Sequence, residues 1–556
     1  MTHHFRSLSK SSVFGCLLAT TAVVTSQSPA ETSKTGAPEK PNIVLIYADD
    51  LDFDQIGAYD HRAFPSFSGA QELGILEYRG KGAPGSRVLT PHIDSLARDG
   101  ARFTRFYVTS PVCTPSRYSA VTGRFASKSQ TFRRTYADGS PAAIGWDTYI
   151  APSESTIADK LGELGYFTGH VGKWHLTPAE DLDIAKKKGD SGDPARADVS
   201  ARLRQEYAKR AKYLRDSFGF DFVGSLYVGN LGTEGLNQTL RHHNMEWVTH
   251  SALNFIDTGV EDDRPFFLYM APTLLHGPYS AKHLDGDPRA TALGLVDIPN
   301  VQPSRENIRQ RVSDAGLQED AALSTWLDDA VGAVLARLEK HGIADNTLIM
   351  LISDHQSRGK FTLYEAAHVP ALARWPKGIP ANKRIDALCA NIDLVPTFVA
   401  MAGGDPRQQD IDGVSMLPLF GNNSHGEIRN SLYLEIAYAR AVIQQDWKYI
   451  AVRYPDEVLA KILRRGKVEQ ATWNGKISRD KKDRKKTAIR YNSDRYFPSY
   501  SDLDQLYNLD SDPYEQRNLA KQTGFEERLA TMKKLMAEKL RGMPHSFGEF
   551  KALKQP

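Results

Sequence analysis

The chain has 556 residues, of which 41% are hydrophobic and 25% charged, a composition typical of a soluble globular protein with one large and one smaller domain. The formal net charge of +3 and the sequence pI near 8.4 are too mild for a nucleic-acid-binding protein, which usually carries a strongly basic domain or stripe. Three cysteines are too few for a disulfide framework.

The N-terminus, residues 1–30, has the layout of a secretory signal peptide, with a basic start, an apolar stretch over residues 13–24 and small residues after it. The apolar stretch is too short to span a bilayer. Residues 31–40 then form a flexible lead-in. We therefore expect an exported protein, periplasmic or secreted, without stable membrane insertion. Cleavage leaves Cys113 and Cys389; a bond between them stays open, although cysteines so far apart match no disulfide pattern.

Short apolar runs that end in polar residues predict buried parallel strands. These runs are PNIVLIYADD (41–50), PFFLYMAPTLLHGP (265–278) and NTLIMLISDH (346–355). Helical stretches that end at a glycine lie between them, at 90–100, 154–165 and 326–342. Strands that alternate with helices predict an α/β fold with helices on both faces of the sheet.

Polar side chains follow each predicted strand at its carboxyl end, where ligands bind in sheets of this kind. They are Asp49, Asp50, His276, Asp354 and His355. A single one would be an ordinary loop residue. Five at equivalent positions indicate one shared pocket.

The segment PVCTPSRYSAVTGR, residues 111–124, places Cys113 at a predicted helix N-terminus, with Thr114 as the cap and Pro115 in the first turn. Backbone N–H groups and the helix dipole favour an anion there and would acidify a thiol. A cysteine hydrolase also needs a histidine base, and that interpretation leaves the aspartates unexplained.

Two further regions are charged. Residues 180–216 are helix-prone and predict a surface insertion that borders the pocket. After residue 430, short strand-like pieces and a final helical stretch predict a smaller α+β domain. Inside it, the basic segment 461–490 is either a solvated excursion or a contact surface for a polyanionic substrate.

The cysteine segment resembles the CxPxR signature of the formylglycine-dependent sulfatases, type I sulfatases of the alkaline phosphatase superfamily. Eight further segments are similar to that family, in its order: PNIVLIYADDLDFDQIGAY, TPHIDSLARDGARFTRFY, GYFTGHVGKWHL, HGPY, DNTLIMLISDH, GKFTLYEAAHVPALARWP, DLVPTFVAMAG and LYNLDSDPYEQRNLA. The resemblance implies a large mixed, mostly parallel sheet sandwiched by helices in a catalytic domain over 41–425. A smaller C-terminal α+β subdomain would cover 426–556.

The resemblance also implies the cofactors. Cys113 would be converted to 3-oxoalanine (formylglycine) by a formylglycine-generating maturation enzyme. One Ca²⁺ per chain would be held by Asp49, Asp50, Asp354, His355 and the modified residue 113. Calcium prefers such hard oxygen ligands, and the imidazole is the less usual member of the set.

The remaining catalytic residues implied by the resemblance are Arg117, Lys173, His175, His276 and Lys360. Arg117 would hold the formylglycine, and the others would gather around the sulfate. One hydroxyl of the hydrated aldehyde would attack sulfur with Asp354 as proton acceptor, while His276 or Lys360 protonates the leaving alcohol. The second hydroxyl, with help from His175, would expel sulfate.

The sequence departs from the family pattern near the expected substrate entrance. Gln356 stands where a glycine often follows the Asp–His pair, and Thr177 and Pro178 replace a glycine after GKWHL. These changes bear on specificity more than on the sulfate chemistry.

The predicted function is hydrolysis of sulfate esters on a sulfated polysaccharide or oligosaccharide. The alternatives are a phosphodiesterase or phosphonate monoester hydrolase of the same superfamily, and an unmatured protein that binds sulfated glycans. Candidate substrate contacts are His242, His243, Asn244 and Trp247, although Trp247 is better interpreted as a residue of a core-facing helix.

Overall fold

The computed structural model of this protein describes residues 40–59, 88–182, 192–232, 236–277, 281–357, 359–408, 410–422, 426–477 and 497–550. The predicted signal peptide, residues 31–39 of the lead-in and residues 478–490 of the basic segment lie outside the described residues. The domain boundary at residue 425 stays a prediction.

Strands and helices alternate through the first two thirds of the chain, as the apolar runs predict. Within the described residues the strands are β1 (Asn42–Ala48), β2 (Ala101–Phe103), β3 (Phe106–Tyr107), β4 (Phe167–Lys173), β5 (Phe222–Tyr227), β6 (Phe266–Ala271), β7 (Ala290–Thr291), β8 (Gly294–Leu295), β9 (Thr347–Ser353), β10 (Ala371–Arg374), β11 (Lys383–Ile385), β12 (Cys389–Ala390), β13 (Leu432–Ile436), β14 (Ala439–Gln444), β15 (Trp447–Val452) and β16 (Asp504–Asn508). The α-helices are α1 (Pro91–Arg98), α2 (Cys113–Thr122), α3 (Gln130–Thr135), α4 (Ile157–Glu163), α5 (Ala197–Phe218), α6 (Met245–Glu261), α7 (Arg305–Asp314), α8 (Ala322–Lys340), α9 (Leu394–Met401), α10 (Asp456–Arg465) and α11 (Glu526–Leu540).

The central sheet has eight strands in the order β11-β2-β10-β9-β1-β6-β4-β5. The five strands from β9 to β5 are parallel, whereas β10 runs antiparallel to both of its neighbours. This is the large mixed, mostly parallel sheet expected from the sequence. Its parallel part carries the carboxyl ends of β1, β4, β6 and β9 to one edge.

Both faces of this sheet are covered. Along β1, Ile43 and Leu45 belong to one buried cluster, while Val44 and Ile46 belong to another on the opposite face. Helices α2, α4 and α9 supply the first cluster, and α1, α6 and α8 supply the second. Because strand side chains alternate between faces, a continuous apolar run is what a strand covered on both sides requires.

The charged region predicted as a surface insertion contains α5, which is more than an insertion. Half of its residues are exposed, but Val199, Leu203, Leu214 and Phe218 are buried against the sheet and its neighbours. One face of this amphipathic helix is therefore packed in the core. None of the described residues of α5 lines the cavity beside the candidate site.

The C-terminal part has the predicted α+β character. Strands β13–β16 form a four-stranded antiparallel sheet, and α11 packs on it through Met532 and Met536. Glu435 of β13 joins this sheet to the rest of the molecule, because its carboxylate accepts a hydrogen bond from the Ser127 amide at 2.7 Å. No helix in the described part of the chain is long and apolar enough to cross a membrane.

An ion pair is buried within the C-terminal part. Lys448 Nζ of β15 lies 2.8 Å from Glu515 Oε1, and each side chain is at most 3% exposed. Burial lowers the pKa of Lys448 and raises the pKa of Glu515 to about 7. Each charge therefore depends on the other for its compensation.

Replacing Lys448 by Met should destabilise the protein by about 3–5 kcal/mol, because the Glu515 carboxylate stays buried without its partner. Urea denaturation measures the change. Lys521→Met is the matched control, since Lys521 is 79% exposed and pairs with Asp502 at 3.3 Å; it should cost at most about 1 kcal/mol. Equal losses in the two variants would contradict the role given to the buried pair.

Candidate active site

The polar residues predicted at the strand ends do meet at one edge of the sheet. Asp49 and Asp50 follow β1, and Asp354 and His355 follow β9. The Asp354 amide donates to the Ala48 carbonyl at 2.8 Å, and the Asp50 amide donates to Asp354 Oδ1 at 3.0 Å. These two hydrogen bonds join the loop after β1 to the loop after β9.

Cys113 opens α2, but its helix is capped differently from the prediction. The cap is Val112, whose backbone is extended with φ −155° and whose carbonyl accepts from the Ser116 amide at 3.1 Å. Thr114 lies inside the helix and does not cap it. A carbonyl in extended backbone can begin the helix without a polar side chain, so the Thr–Pro pattern misplaced the cap by two residues. The helix ends at Gly123 in the left-handed region, φ 71°.

The Cys113 thiol is the focus of the cluster. Its Sγ lies 3.7 Å from Asp49 Oδ1, 3.4 Å from His355 Nε2 and 3.5 Å from Lys360 Nζ. Burial raises the pKa of the thiol, but the charges of Lys173, Lys360 and His355 outweigh it and hold the pKa well below its ordinary value. The position is built to hold a negative group.

Arg117 follows Cys113 by one helical turn and is fully buried. Its Nη2 lies 3.0 Å from Asp354 Oδ2 and 3.7 Å from Asp49 Oδ1. Its Nη1 donates to the Lys173 carbonyl at 3.3 Å. The guanidinium thus joins α2 to both acidic loops and to the end of β4.

Two lysines compensate the charges of Asp49 and Asp50. Lys173 Nζ, at the end of β4, lies 2.6 Å from Asp49 Oδ2 and donates to Asn230 Oδ1 at 2.6 Å. Lys360 Nζ lies 2.9 Å from Asp50 Oδ1. Burial raises the pKa of Asp49, but Lys173 outweighs it and holds that pKa below its ordinary value.

His175 and His276 approach the same thiol from different loops, since the Cys113 side chain acts on the pKa of each imidazole. Their environments push their pKa values in opposite directions. Burial and the nearby Lys173 lower the pKa of His175 to about 4. Burial alone would lower the pKa of His276, but Asp50 and Asp49 raise it. One imidazole is therefore neutral and the other favours the protonated form.

Four of the five predicted metal ligands form one group. Asp49, Asp50, Cys113 and His355 each offer a ligand atom, and these atoms lie within 4.8 Å of one another. Asp354 is outside this group, with its Oδ1 3.6 Å from His355 Nε2. Burial lowers the pKa of His355, but Asp354 outweighs it and raises the pKa to about 9. A buried, acidic group of this size fits a divalent cation.

Gln356 and Thr177, which depart from the family pattern, make hydrogen bonds that hold nearby loops. Gln356 is buried, and its Nε2 donates to the carbonyls of Glu365 at 2.9 Å and His368 at 2.7 Å. Thr177 Oγ1 accepts from Trp174 Nε1 at 2.8 Å. These bonds fix the loops that carry His355 and His175.

Asp52, which follows the acidic pair, is also structural. Its carboxylate accepts hydrogen bonds from the Ser357 amide at 2.7 Å and the Ser357 hydroxyl at 2.8 Å. Gln55 Oε1 in turn accepts from the Asp52 amide at 2.9 Å. Asp52 therefore joins the loop after β1 to the loop after β9.

A cavity of about 620 Å³ lies beside the cluster, and Asp49, Lys173 and His276 form part of its wall. Two of the four candidate substrate contacts, His242 and His243, also line it.

The other two candidates do not reach the cavity wall. Asn244 caps α6 through its Oδ1, which accepts from the Trp247 amide at 2.9 Å, and Trp247 is packed in the core as the helical interpretation predicts. The sequence reasoning missed Asn230, Arg241 and His283 in the wall. Only Arg241 had a nearby signal, because it directly precedes the histidine pair.

Comparisons with known families agree with this fold. Residues 41–404 match the family model described as Sulfatase, and residues 354–455 match the model described as N-sulphoglucosamine sulphohydrolase, C-terminal. The chain belongs to the sulfatase family, the sulfuric ester hydrolases. The predicted family, fold class and enzyme class are confirmed.

The individual relatives named here share less than a third of their aligned residues with this chain. N-acetylgalactosamine-6-sulfatase of Rattus norvegicus is 28% identical over 69% of this chain and 66% of its own length. Human arylsulfatase A is 28% identical over 72% of this chain and 71% of its own length. A solved structure from work on the metabolism of multiple glycosaminoglycans by Bacteroides thetaiotaomicron matches with a TM-score of 0.57 and 20% identity, covering 90% of this chain and 99% of the other.

The unmodified protein offers a test of the site's electrostatics. In chelator-treated protein made without a maturation enzyme, Cys113 should be a thiolate at neutral pH, because the surrounding cations lower its pKa. Ultraviolet absorbance of the thiolate during a pH titration, taken as wild type minus Cys113→Ala, measures it. In the Cys113→Ala protein alone, Cys389 should give no thiolate absorbance at neutral pH, since burial raises its pKa. A Cys113 thiolate that formed only near the ordinary value of about 8.5 would contradict the geometry.

Proposed function

We propose that this protein removes sulfate from a sulfated polysaccharide or oligosaccharide in an exported compartment, using a formylglycine made from Cys113 and one bound Ca²⁺. The observation that carries the proposal is the convergence on Cys113 of buried carboxylates, two lysines and two histidines with opposed pKa shifts. A sulfate monoester carries negative charge, so cations around the reacting group stabilise the charge that moves during its hydrolysis.

The formylglycine and the Ca²⁺ would each supply one part of the chemistry. A hydrated aldehyde at residue 113 would supply one hydroxyl as the nucleophile and a second hydroxyl that assists release of the sulfate. Asp49, Asp50 and His355, with Asp354 beside them, would hold the Ca²⁺, which supplies positive charge to the sulfate oxygens.

The protein's own cations bind and orient the sulfate. Lys173 and Lys360 lie beside residue 113, each paired with a different aspartate. Their ammonium groups can therefore turn to sulfate oxygens without leaving the site. Arg117 holds Asp49 and Asp354 in place beneath them. The sulfate is thereby fixed with its sulfur facing residue 113.

The two histidines take two of the three proton transfers, and Asp354 would accept the third, from the attacking hydroxyl. His276, which favours the protonated form, is suited to donate a proton to the leaving alcohol oxygen. His175, with its pKa lowered to about 4, is neutral and is suited to accept a proton from residue 113. Groups pushed apart in pKa by their surroundings are the usual mark of an acid and base pair.

A carbohydrate substrate is supported by the wall of the site and by the named relatives. The cavity beside His276 has room for a sugar ring in addition to the sulfate. Trp146 is 40% exposed and stacks on Phe361, the residue after Lys360, with ring centroids 4.8 Å apart. The rat relative is named for a sulfated amino sugar.

Replacing Cys113 by Ala should abolish sulfate release without unfolding the protein, because the nucleophile is lost while the packing of α2 is kept. Sulfate released from a panel of sulfated glycans and an aryl sulfate measures the activity. Phosphate diesters and phosphonate monoesters in the same panel test the alternative activity.

The control is wild type co-expressed with a formylglycine-generating enzyme, in which mass spectrometry of the peptide containing residue 113 should find the aldehyde. Turnover retained by the Cys113→Ala variant would exclude residue 113 as nucleophile. An unmodified thiol, beside a known substrate peptide that is converted, would favour the unmatured binding protein.

Replacing both Asp49 and Asp50 by Asn should remove the bound metal and the activity together, because two anionic oxygen ligands are lost from the group. Calcium content after gel filtration measures the metal. The double replacement Asp405→Asn and Asp410→Asn changes the charge equally at residues outside the ligand group and should keep both properties. Full calcium content in the Asp49 and Asp50 variant would refute the metal site.

A further inference from the structure

The cavity beside the candidate site extends beyond the groups that bind the sulfate. From Asp49, Lys173 and His276 it continues along the loop after β5 and along residues 238–243. If the sulfate binds at residue 113, as the proposed function requires, this wall contacts the rest of the substrate.

The wall carries positive charge that the protein does not compensate. Among the described residues that line it, Asp49 is the carboxylate, and Lys173 and Arg117 already neutralise it at 2.6 Å and 3.7 Å. Arg241 is the remaining permanent cation. The wall as a whole therefore favours an anion.

Arg241 is held in one orientation by its inner nitrogen. Its Nε donates to the Leu236 carbonyl at 2.8 Å. Its two terminal nitrogens form no hydrogen bond or ion pair with the residues that the structure describes. Because Arg241 lines the cavity, its guanidinium can offer two parallel donors there, the geometry that binds carboxylate, sulfate and phosphate groups.

The position of Arg241 is tied to the reacting centre. His243, two residues later, is buried; its Nδ1 lies 2.7 Å from Thr273 Oγ1 and its Nε2 lies 3.2 Å from the His276 carbonyl oxygen. The loop that carries Arg241 is therefore fixed to the loop that carries His276. A sugar whose leaving oxygen meets His276 can extend along the wall that contains Arg241.

Neighbouring groups suit the neutral part of a sugar. His242 lines the same wall, and its ring and the His283 ring meet edge to face at a centroid distance of 6.0 Å. Burial lowers the pKa of His242, so its ring offers a neutral donor and acceptor to hydroxyl groups. Asn230 adds an amide beside Lys173.

We propose that Arg241 binds a second anionic group on the substrate, a further sulfate or a carboxylate on the same or the adjacent sugar. The preferred substrate is then a multiply charged glycan, and Arg241 determines specificity without taking part in the cleavage.

Isothermal titration calorimetry tests this on the full chain with calcium, in a Cys113→Ala background that prevents turnover. The probes are D-glucosamine-2-N,6-O-disulfate, N-acetyl-D-glucosamine-6-sulfate and a monosulfated disaccharide with a hexuronate. At least one probe with a second anion should bind about tenfold or more tighter than the N-acetyl sugar, the effect of one charge-assisted hydrogen-bonded pair. The probe that gains the affinity identifies sulfate or carboxylate as the second group.

Adding Arg241→Ala should remove this preference, and Arg241→Lys should restore part of it. Arg407→Ala is the control, because Arg407 is 88% exposed and pairs with Asp405 outside the cavity wall. Equal weakening of all probes by Arg241→Ala, or the absence of any preference in the parent, would overturn the proposal. Sulfate release by the matured enzyme is measured separately; an Arg241-dependent preference without sulfate release would refute the proposed hydrolysis and leave this inference standing.

Discussion

Three carboxylates, those of Asp49, Asp50 and Asp354, lie buried at one edge of the central sheet, and their charge is the constraint on which the site depends. Uncompensated ions at such depth would cost several kcal/mol each. Arg117 lies against Asp354 and, at a longer distance, Asp49. Lys173 lies against Asp49, and Lys360 against Asp50. These contacts draw α2, β4 and the loop after β9 to the end of β1. Cys113 is at their centre because it precedes Arg117 by one helical turn.

The parallel sheet explains why so much of this could be predicted from the sequence. β1 and β9 pair in register to their last residues, Ala48 with Ser353, so the residues that follow emerge side by side. Apolar runs that end in Asp49 and Asp354 therefore fix both the strands and the meeting point of the carboxylates. The catalytic roles were a matter of resemblance, because spacing alone does not distinguish a catalytic histidine from a loop histidine.

What the sequence could not provide lies in the loops and in side-chain partners. Val112 caps α2 through backbone shape, which has no residue signature of the kind that Thr114 suggested. Arg241 and Asn230 reach the cavity because of the path of the loops around α6 and after β5, and no periodicity marks such positions. Likewise, the opposed pKa shifts of two histidines arise from neighbours that are distant in the chain.

The loops show how a common reaction centre can accept different substrates. Gln356 and Thr177 replace glycines of the family pattern, yet each makes a hydrogen bond that fixes a loop carrying a histidine. The groups around residue 113 thus stay in place although the local sequence differs. The wall around Arg241 is joined to this centre through His243 and the His276 carbonyl. A change of residue 241 would alter the charge offered to the sugar while leaving the carboxylate–cation cluster intact, so selection for a new substrate can act there with the least disturbance of the chemistry.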